Sequence, residues 1–361
     1  MITKDSQSYR MMALVAMSGE CSENAMMFLM PQESYRIKII QNLLSDNLIS
    51  RYEGDGVKGY RLTRHGKDML LQMDEARFSF FLSDGADFNL RSSKLVKRLR
   101  QHRISEVIAM MQSSGIEIYR DRKNLYFEKI SEQSEQNAQS AFFHSKEVKA
   151  QLELTRKIIN SKLTGVWVSG KAVWFCYHMS NELLLWYETV ENRADILIRS
   201  MLSKCGITDV SSGAVLFGNH MLQAAMCLAD HKSKVYIMNS PFKRFCFVPL
   251  TEYGSYQLRI LEDIEMEEYL ISVLTEDLKP VSEDAPIECN GYNDKAEPVL
   301  ICIDMDLKRL ARFIVQLQYN DSHGEVICFD YQREAIEDFC EGKASITEVD
   351  FAAIKEALFD E

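Results

Sequence analysis

Two short strand-like segments on either side of a glycine-containing loop decide the fold of the first part of this chain. Leu48-Ile-Ser-Arg-Tyr52 and Gly59-Tyr-Arg-Leu62 each have the length and composition of a β-strand. Glu53-Gly-Asp-Gly-Val-Lys58 lies between them and predicts a hairpin loop. Thr63 follows as the expected N-cap of a helix in residues 62–70. This stretch therefore predicts a two-stranded hairpin that leads directly into a helix.

Three more helices are predicted before the hairpin. The first covers residues 8–18, where apolar side chains recur at helical spacing. The second covers residues 23–30, with Ser22 as its N-cap and Pro31 ending it. The third covers residues 33–46. Three helices, a two-stranded hairpin and a further helix follow the order of a winged helix-turn-helix domain, which we expect over residues 1–75.

The third helix is the expected recognition helix. Its predicted apolar stripe consists of Ile37, Ile40, Leu43 and Leu44. The opposite face is predicted to present Tyr35, Lys38, Asn42 and Ser45, with Arg36 and Gln41 at its margins. Such side chains suit base edges and phosphates in a major groove, and we expect Arg51, Lys58 and Arg61 near the DNA backbone. The alternative is a solvated helix face in a protein–protein module.

A strongly basic stretch follows in the expected connector of residues 76–127. Residues 91–103 contain six Lys and Arg and no acidic residue, and we predict a helix from about residue 93 to 113, with Leu95 and Leu99 on its apolar stripe. Its candidate phosphate contacts are Lys94, Lys97, Arg98 and Arg100. The alternative is a helix that packs the winged helix against the rest of the chain.

The charge of the chain is unevenly divided. The net charge is −11, but residues 1–130 carry 20 Lys and Arg against 16 Asp and Glu, and the other 231 residues carry 22 against 37. Phosphates attract the first part and repel the second. We therefore expect duplex DNA to bind only the first part.

The later part of the chain predicts an α/β domain. Residues 128–141 are polar, rich in Ser, Glu and Gln, and are the expected linker before a domain over residues 142–361. Strand-like runs occur at 165–177, 213–217, 235–238, 246–250, 299–303 and 325–329. Helical runs occur at 145–162, 181–204, 220–231, 265–274, 307–316 and 348–359. This alternation predicts a largely covered mixed sheet, and the whole chain is expected to be α+β.

The motifs that would indicate catalysis are missing from the sequence. It contains neither a G-x-x-x-x-G-K-[ST] nor a G-x-G-x-x-G motif, its seven His show no H-E-x-x-H, and its nine Cys show no C-x-x-C. Two acidic groups resemble parts of a restriction-type nuclease site: Glu188 with Glu191, and Asp304 with Asp306 and Lys308. The alternative is that residues 306–308 begin a helix. We predict no cofactor, no metal ion and no enzymatic activity.

Three stretches resemble the replication-relaxation family of bacterial plasmid and integrative-element proteins. They are Gly59-Tyr-Arg-Leu-Thr-Arg-His-Gly66, the basic stretch from Leu90 to Glu106, and Ser161-Lys-Leu-Thr-Gly165 leading to Trp186-Tyr-Glu188. The resemblance covers about the first 200 residues. It implies a DNA-binding role in replication or transfer of a mobile element, as an accessory to a relaxase, and does not establish catalysis.

The sequence thus predicts a DNA-binding accessory protein without enzymatic activity. Its α/β region is expected to bind a relaxase or other transfer protein, or a second copy of the chain as a homodimer. Since the N-terminus lacks a signal-peptide pattern and no apolar run could span a bilayer, we expect a cytoplasmic protein without membrane contact. Two alternatives stay open: a transcription regulator whose α/β domain binds a small molecule, and a metal-dependent nuclease.

Overall fold

The protein has an α+β fold with several separate sheets. The computed structural model describes residues 2–83, 94–124, 126–127, 140–150, 161–170, 172–180, 186–208, 211–282 and 284–359. The chain divides into two compact units: unit 1 is Met1–Lys157 with Thr164–Gly170, and unit 2 is Ile158–Leu163 with Lys171–Glu361. None of the helices in the described part of the chain is long and apolar enough to cross a membrane.

Unit 1 begins with the elements that the sequence predicts, in the predicted order. Its elements are α1 (Gln7–Ser18), β1 (Cys21–Ser22), α2 (Glu23–Leu29), α3 (Glu33–Ser45), β2 (Ile49–Gly54), β3 (Val57–Leu62), α4 (Arg64–Met73), α5 (Glu75–Leu82), α6 (Leu95–Ser113), β4 (Ala141–His144), α7 (Ser145–Ala150) and β5 (Gly165–Val168). The short strand β1 was not predicted. It pairs with β3, and the sheet order is β1-β3-β2 with antiparallel neighbours.

The hairpin β2–β3 is longer than predicted, and its turn is shorter. Pairing runs from Ile49 opposite Leu62 to Gly54 opposite Val57, so that only Asp55 and Gly56 form the turn. Both turn residues have positive φ, 53° and 73°, as the twist of a tight two-residue hairpin requires. The predicted loop of residues 53–58 therefore contains the ends of both strands.

The junction between the hairpin and α4 explains part of the motif in residues 59–66. The Thr63 Oγ1 atom accepts a hydrogen bond from the Gly66 amide at 3.0 Å, which confirms Thr63 as an N-cap. A Cβ atom on Gly66 would lie 2.1 Å from the Leu48 carbonyl oxygen. Glycine is therefore required here, because the first turn of α4 packs directly against the backbone before β2.

Unit 2 contains strands and helices in alternation, as predicted. Its elements are β6 (Ala172–His178), α8 (Glu188–Lys204), β7 (Ser211–Gly218), α9 (Leu222–Ala229), α10 (His231–Asn239), β8 (Arg244–Pro249), α11 (Glu252–Glu262), α12 (Ile264–Leu274), β9 (Gly291–Tyr292), β10 (Pro298–Ile301), α13 (Leu307–Tyr319), β11 (Gly324–Phe329), α14 (Arg333–Cys340), β12 (Ala344–Val349) and α15 (Phe351–Phe359). Strands β6, β7 and β8 are parallel neighbours in one sheet. A second, mixed sheet has the order β12-β11-β10-β9.

Several predicted elements of the later part of the chain differ from the structure. The apolar run at 235–238 is not a strand but part of α10, because Asp230 caps the helix by accepting a hydrogen bond from the Ser233 amide at 2.8 Å. Within α10, Ser233, Tyr236 and Ile237 are buried at helical spacing. Most of the expected linker, residues 128–139, lies outside the described residues, and Ala141 already begins β4.

Candidate nucleic-acid interface

The exposed face of α3 carries most of the predicted groove residues. The Tyr35 side chain is 44% exposed, and Lys38, Gln41 and Asn42 are exposed beside it. Four polar or aromatic side chains with donors and acceptors on one helix face suit hydrogen bonding to base edges. This face is available to a ligand of unit 1.

The buried stripe of α3 differs from the predicted one. Ile39 and Leu43 are buried, whereas Ile37 is 44% exposed and lies with the polar residues. A helix can place either member of a run such as Ile39-Ile40 inside, and packing against the sheet and α1 selects Ile39. The exposed face is therefore more apolar than the sequence indicated.

Arg36 stabilises the turn between α2 and α3 and does not face outward. Its Nη1 atom donates hydrogen bonds to the carbonyl oxygens of Met30 at 2.8 Å and Pro31 at 3.3 Å. The side chain is half-buried. The prediction that Arg36 lies at the margin of the DNA-binding face is wrong, because these two carbonyls draw the guanidinium toward the preceding turn.

Two of the predicted backbone-contacting cations are exposed on the hairpin. Arg51 lies 3.3 Å from Glu23, and Lys58 lies 3.8 Å from Glu53. The Arg51 and Lys58 side chains are about half exposed. Since exposed ion pairs of this kind contribute at most about 1 kcal/mol, a phosphate could replace either carboxylate.

Arg61 and Arg98 were predicted to approach phosphates, but both are buried around Glu20. The Arg61 Nη2 atom lies 2.6 Å from Glu20 Oε2, and Arg98 Nη2 lies 2.8 Å from Glu20 Oε1. The third neighbour is His102, whose Nε2 lies 2.9 Å from Glu20 Oε1. Glu20 and Arg98 are fully buried. These two predictions are wrong, because a buried carboxylate holds both guanidinium groups inside unit 1. We call Glu20 and its three neighbours, Arg61, Arg98 and His102, the Glu20 cluster.

The Glu20 cluster depends on close backbone approach at Gly59. A Cβ atom at this position would lie 2.5 Å from Glu20 Oε1 and 2.6 Å from His102 Nε2. The aromatic ring of Tyr52, on the neighbouring strand, has Arg61 at 3.8 Å and Arg98 at 4.5 Å from its centre. Gly59 and Arg61 of the family-like motif therefore have structural roles in unit 1.

The pKa of Glu20 reflects its neighbours. Burial acts to raise the pKa of this carboxyl group, but hydrogen bonds from His102, Arg98 and Arg61 outweigh burial and lower the pKa from 4.5 to about 2. Glu20 is therefore ionised at neutral pH, as the surrounding guanidinium groups require.

The other three candidate phosphate contacts at the beginning of α6 are exposed. Lys94, Lys97 and Arg100 are exposed, whereas the opposite side packs into unit 1. There Ser105 Oγ accepts from the Ser22 amide at 3.2 Å, and Glu106 accepts from Ser22 Oγ at 2.9 Å. Leu95 was predicted on the apolar stripe but is 37% exposed, because Arg98 and His102 occupy the buried side at the beginning of the helix.

Glu20 and Tyr52 were not among the residues predicted from the sequence. Glu20 follows Gly19 after a helix with fully buried residues and immediately precedes the buried strand β1. An acidic residue between two buried segments needs a cationic partner, which is the signal that could have identified it. The partners lie 41 and 78 residues later in the chain, so that no local pattern connects them.

Four of the five residues considered for a nuclease site, Glu191, Asp304, Asp306 and Lys308, have structural partners, and Glu188 is exposed. Glu191 is fully buried and accepts hydrogen bonds from Ser161 Oγ at 2.9 Å and the Lys162 amide at 2.8 Å. Asp306 is the N-cap of α13, as the alternative interpretation held. Lys308 Nζ donates to the carbonyl oxygens of Ser240 and Phe242 at 2.9 and 2.8 Å. Among the residues that the structure describes, no group of three or more His, Cys, Asp or Glu is arranged to hold a metal ion.

Comparison with protein-family models, with curated proteins and with solved structures found no match to this chain. The likeness to the replication-relaxation family therefore rests on the residues quoted from the sequence. In the structure, one of these stretches, residues 59–66, joins the hairpin to Glu20 and to α4.

Proposed function

We propose that residues 1–75 are a winged helix that binds duplex DNA, and that the protein is a DNA-binding accessory in the replication or conjugative transfer of a mobile element. The observation that carries this proposal is the exposed face of α3, where Tyr35, Lys38, Gln41 and Asn42 lie together. In a winged helix this helix enters the major groove. No catalytic role is part of the proposal.

The exposed cations of unit 1 support the same proposal. Arg51 and Lys58 are exposed on the hairpin, and Lys97 and Arg100 are exposed on α6. Phosphate contacts from such residues supply affinity that does not depend on sequence, while the α3 face supplies base contacts. The family resemblance adds the context of a mobile element and of a relaxase as partner.

The experiment is to find which duplex fragment of its own replicon the full chain retains, and then to titrate that fragment. Changing Lys38 and Asn42 together to Ala should weaken binding at least tenfold, because each lost base contact is worth about 1–3 kcal/mol. The melting temperature should change little, since both side chains are exposed.

A matched control changes the same residue types in the acidic unit 2. Lys232 and Asn320 are both exposed there, and their change to Ala should leave DNA affinity unaltered. Equal affinities of the Lys38/Asn42 variant and the control variant would refute the assignment of α3 as the recognition helix.

A second candidate function is a transcription regulator that senses a small molecule. An open groove of about 980 Å³ in unit 2 favours it, with a lining that includes Met226, Val235, Met238, Ile314 and Phe339. Pockets for small molecules commonly have this volume and an apolar lining. A metabolite that raises the melting temperature of the full chain and also changes its DNA affinity would favour this candidate over the transfer accessory.

A further inference from the structure

The tip of the hairpin β2–β3 is held from α6 by one side chain. Arg98 donates hydrogen bonds from Nη1 to the Gly54 carbonyl oxygen at 2.5 Å and from Nη2 to the Val57 carbonyl oxygen at 2.8 Å. These carbonyls lie on either side of the Asp55-Gly56 turn. Strand β1 pairs with β3 at Gly59 and Tyr60, so the tip beyond Gly59 is two-stranded. A two-stranded hairpin is only marginally stable alone, and these bonds therefore add to the order of the tip.

Arg98 is itself fixed by Glu20. Its Nε and Nη2 atoms donate to Glu20 Oε1 at 3.0 and 2.8 Å, and its guanidinium group lies 4.5 Å from the centre of the Tyr52 ring. A planar guanidinium can bond a carboxylate on one edge and carbonyls on the other, which the ammonium of lysine cannot reproduce. The carboxylate, the guanidinium and the hairpin tip therefore form one connected unit.

The exposed cations of α6 are next to this anchor. Lys97 precedes Arg98 and is exposed, whereas Arg98 is fully buried. On the other side of the anchor, Lys58 follows Val57 and is exposed. Because Arg98 bonds to the Val57 carbonyl oxygen, the backbone segments that carry Lys58 and Lys97 are tied to each other.

We propose that Arg98, held by Glu20, is a positioning residue that fixes the hairpin tip to α6, so that the hairpin and α6 contact the DNA backbone as one preformed surface. This inference rests on the proposed DNA binding and adds its structural basis. Preforming the surface removes the cost of ordering the hairpin when DNA binds. Arg98 does not touch the DNA in this arrangement.

The test is a double-mutant cycle with the full chain and the retained duplex fragment. Lys58→Gln should make the slope of log K against log salt shallower by about 0.9 in the wild-type background, the value for one phosphate contact. In the Arg98→Lys background the same change should leave the slope unaltered, since the hairpin is no longer held against the DNA. A purely structural role of Arg98 predicts additive effects.

Lys97→Gln is the matched control. Lys97 lies on α6 itself, so its change should reduce the slope by about 0.9 in both backgrounds. Equal effects of Lys58→Gln in the two backgrounds would overturn the inference and leave DNA binding intact. If the wild-type protein retains no duplex, the proposed function fails, and the inference fails with it.

Amide hydrogen exchange without DNA provides a second measurement. In Arg98→Lys, exchange should accelerate at least tenfold more at the Val57 amide than at the most protected amides of α1, which report the general loss of stability of unit 1. Equal acceleration in both places would indicate general destabilisation and contradict the inference. If this variant does not fold, the exchange rates of the wild-type protein provide the test. The Val57 amide should exchange at most about tenfold faster than the Tyr60 amide, and exchange at the rate of a frayed strand end would overturn the inference.

Discussion

Each unit of this protein contains a buried cluster of ionised side chains, and the two clusters differ in charge balance. In the Glu20 cluster of unit 1, one carboxylate is surrounded by Arg61, Arg98 and His102. In unit 2, the carboxylates of Asp304, Asp306 and Glu267 lie with the guanidinium groups of Arg244 and Arg309. We call these five residues the Asp304 cluster, in which carboxylates outnumber arginines. There Arg244 contacts Asp304 at 2.8 Å and Glu267 at 2.5 Å, and Asp306 is buried two residues after Asp304.

The balance of charge decides the direction of each pKa shift. Burial acts to raise the pKa of Asp304, but Arg244 and Arg309 outweigh it and lower this pKa. Burial, and then the charge of Asp304, raise the pKa of Asp306 from 3.8 to about 6. The pKa of Glu20, which the hydrogen bonds from His102, Arg98 and Arg61 lower, shifts in the opposite direction to that of Asp306. The two clusters should therefore respond oppositely to acid.

The largest expected effect is the loss of the Glu20 charge. Glu20→Gln should lower the free energy of unfolding of unit 1 by about 3 kcal/mol, because it leaves two buried arginines without a counter-charge. The most protected amides of α1 in the full chain report this free energy through their exchange rates.

Glu23→Gln is the matched control in the same unit. Glu23 lies 3.3 Å from Arg51, and both side chains are about half exposed. An exposed pair of this kind contributes at most about 1 kcal/mol. Similar losses for the two substitutions would mean that the Glu20 cluster does not stabilise unit 1 in the way described.

Local sequence patterns predicted the first three helices and the hairpin of unit 1 well, whereas β1, α5 and β4 were not predicted. Caps and helical spacing located α1, α2 and α3 to within about a residue, because Ser22 and Pro31 act on neighbouring backbone groups. The predicted position of the turn was less accurate, because residues 53–58 contain two glycines and only Gly56 is in the turn. The exposed positions of Lys38, Gln41 and Asn42 were also predicted from helical spacing.

Local patterns failed where distant residues decide the outcome. Arg61 and Arg98 look like phosphate contacts in the sequence, and only the fold brings Glu20 to them. In the same way, the Asp304, Asp306 and Lys308 pattern resembles a metal site until the backbone groups that occupy these side chains are known. A charged residue type does not show whether the side chain lies on the buried or the exposed side of its helix or strand.

A second prediction uses the low pKa of Glu20. A carboxylate whose pKa is lower in the folded than in the unfolded state stabilises the fold above about pH 4.5, and this stabilisation is lost as the pH falls toward 2. The difference in unfolding free energy between wild type and Glu20→Gln should therefore shrink by about 2 kcal/mol from pH 6 to pH 3. A difference that is constant over this range would contradict the assigned pKa direction.

The smallest expected effect comes from Asp306, and it has the opposite sign. Because the pKa of Asp306 is raised to about 6, the folded state binds the proton more tightly, and this group stabilises unit 2 as the pH falls from 7 to 4. Asp306→Asn keeps the Oδ1 atom that accepts from the Phe245 and Lys308 amides, but removes the titration. The unfolding free energy of wild type minus that of this variant, measured from exchange of the β8 amides, should rise from pH 7 to pH 4. The rise should be on the order of 1 kcal/mol, because part of the titration belongs to Asp304.

Asp263→Asn, at the exposed N-cap of α12, is the control that shows whether loss of an N-cap carboxylate alone has this effect. If the stability of wild type relative to Asp306→Asn falls over this range, the pKa of Asp306 is not raised in the folded state. The Asp304 cluster would then not differ from the Glu20 cluster in its response to acid.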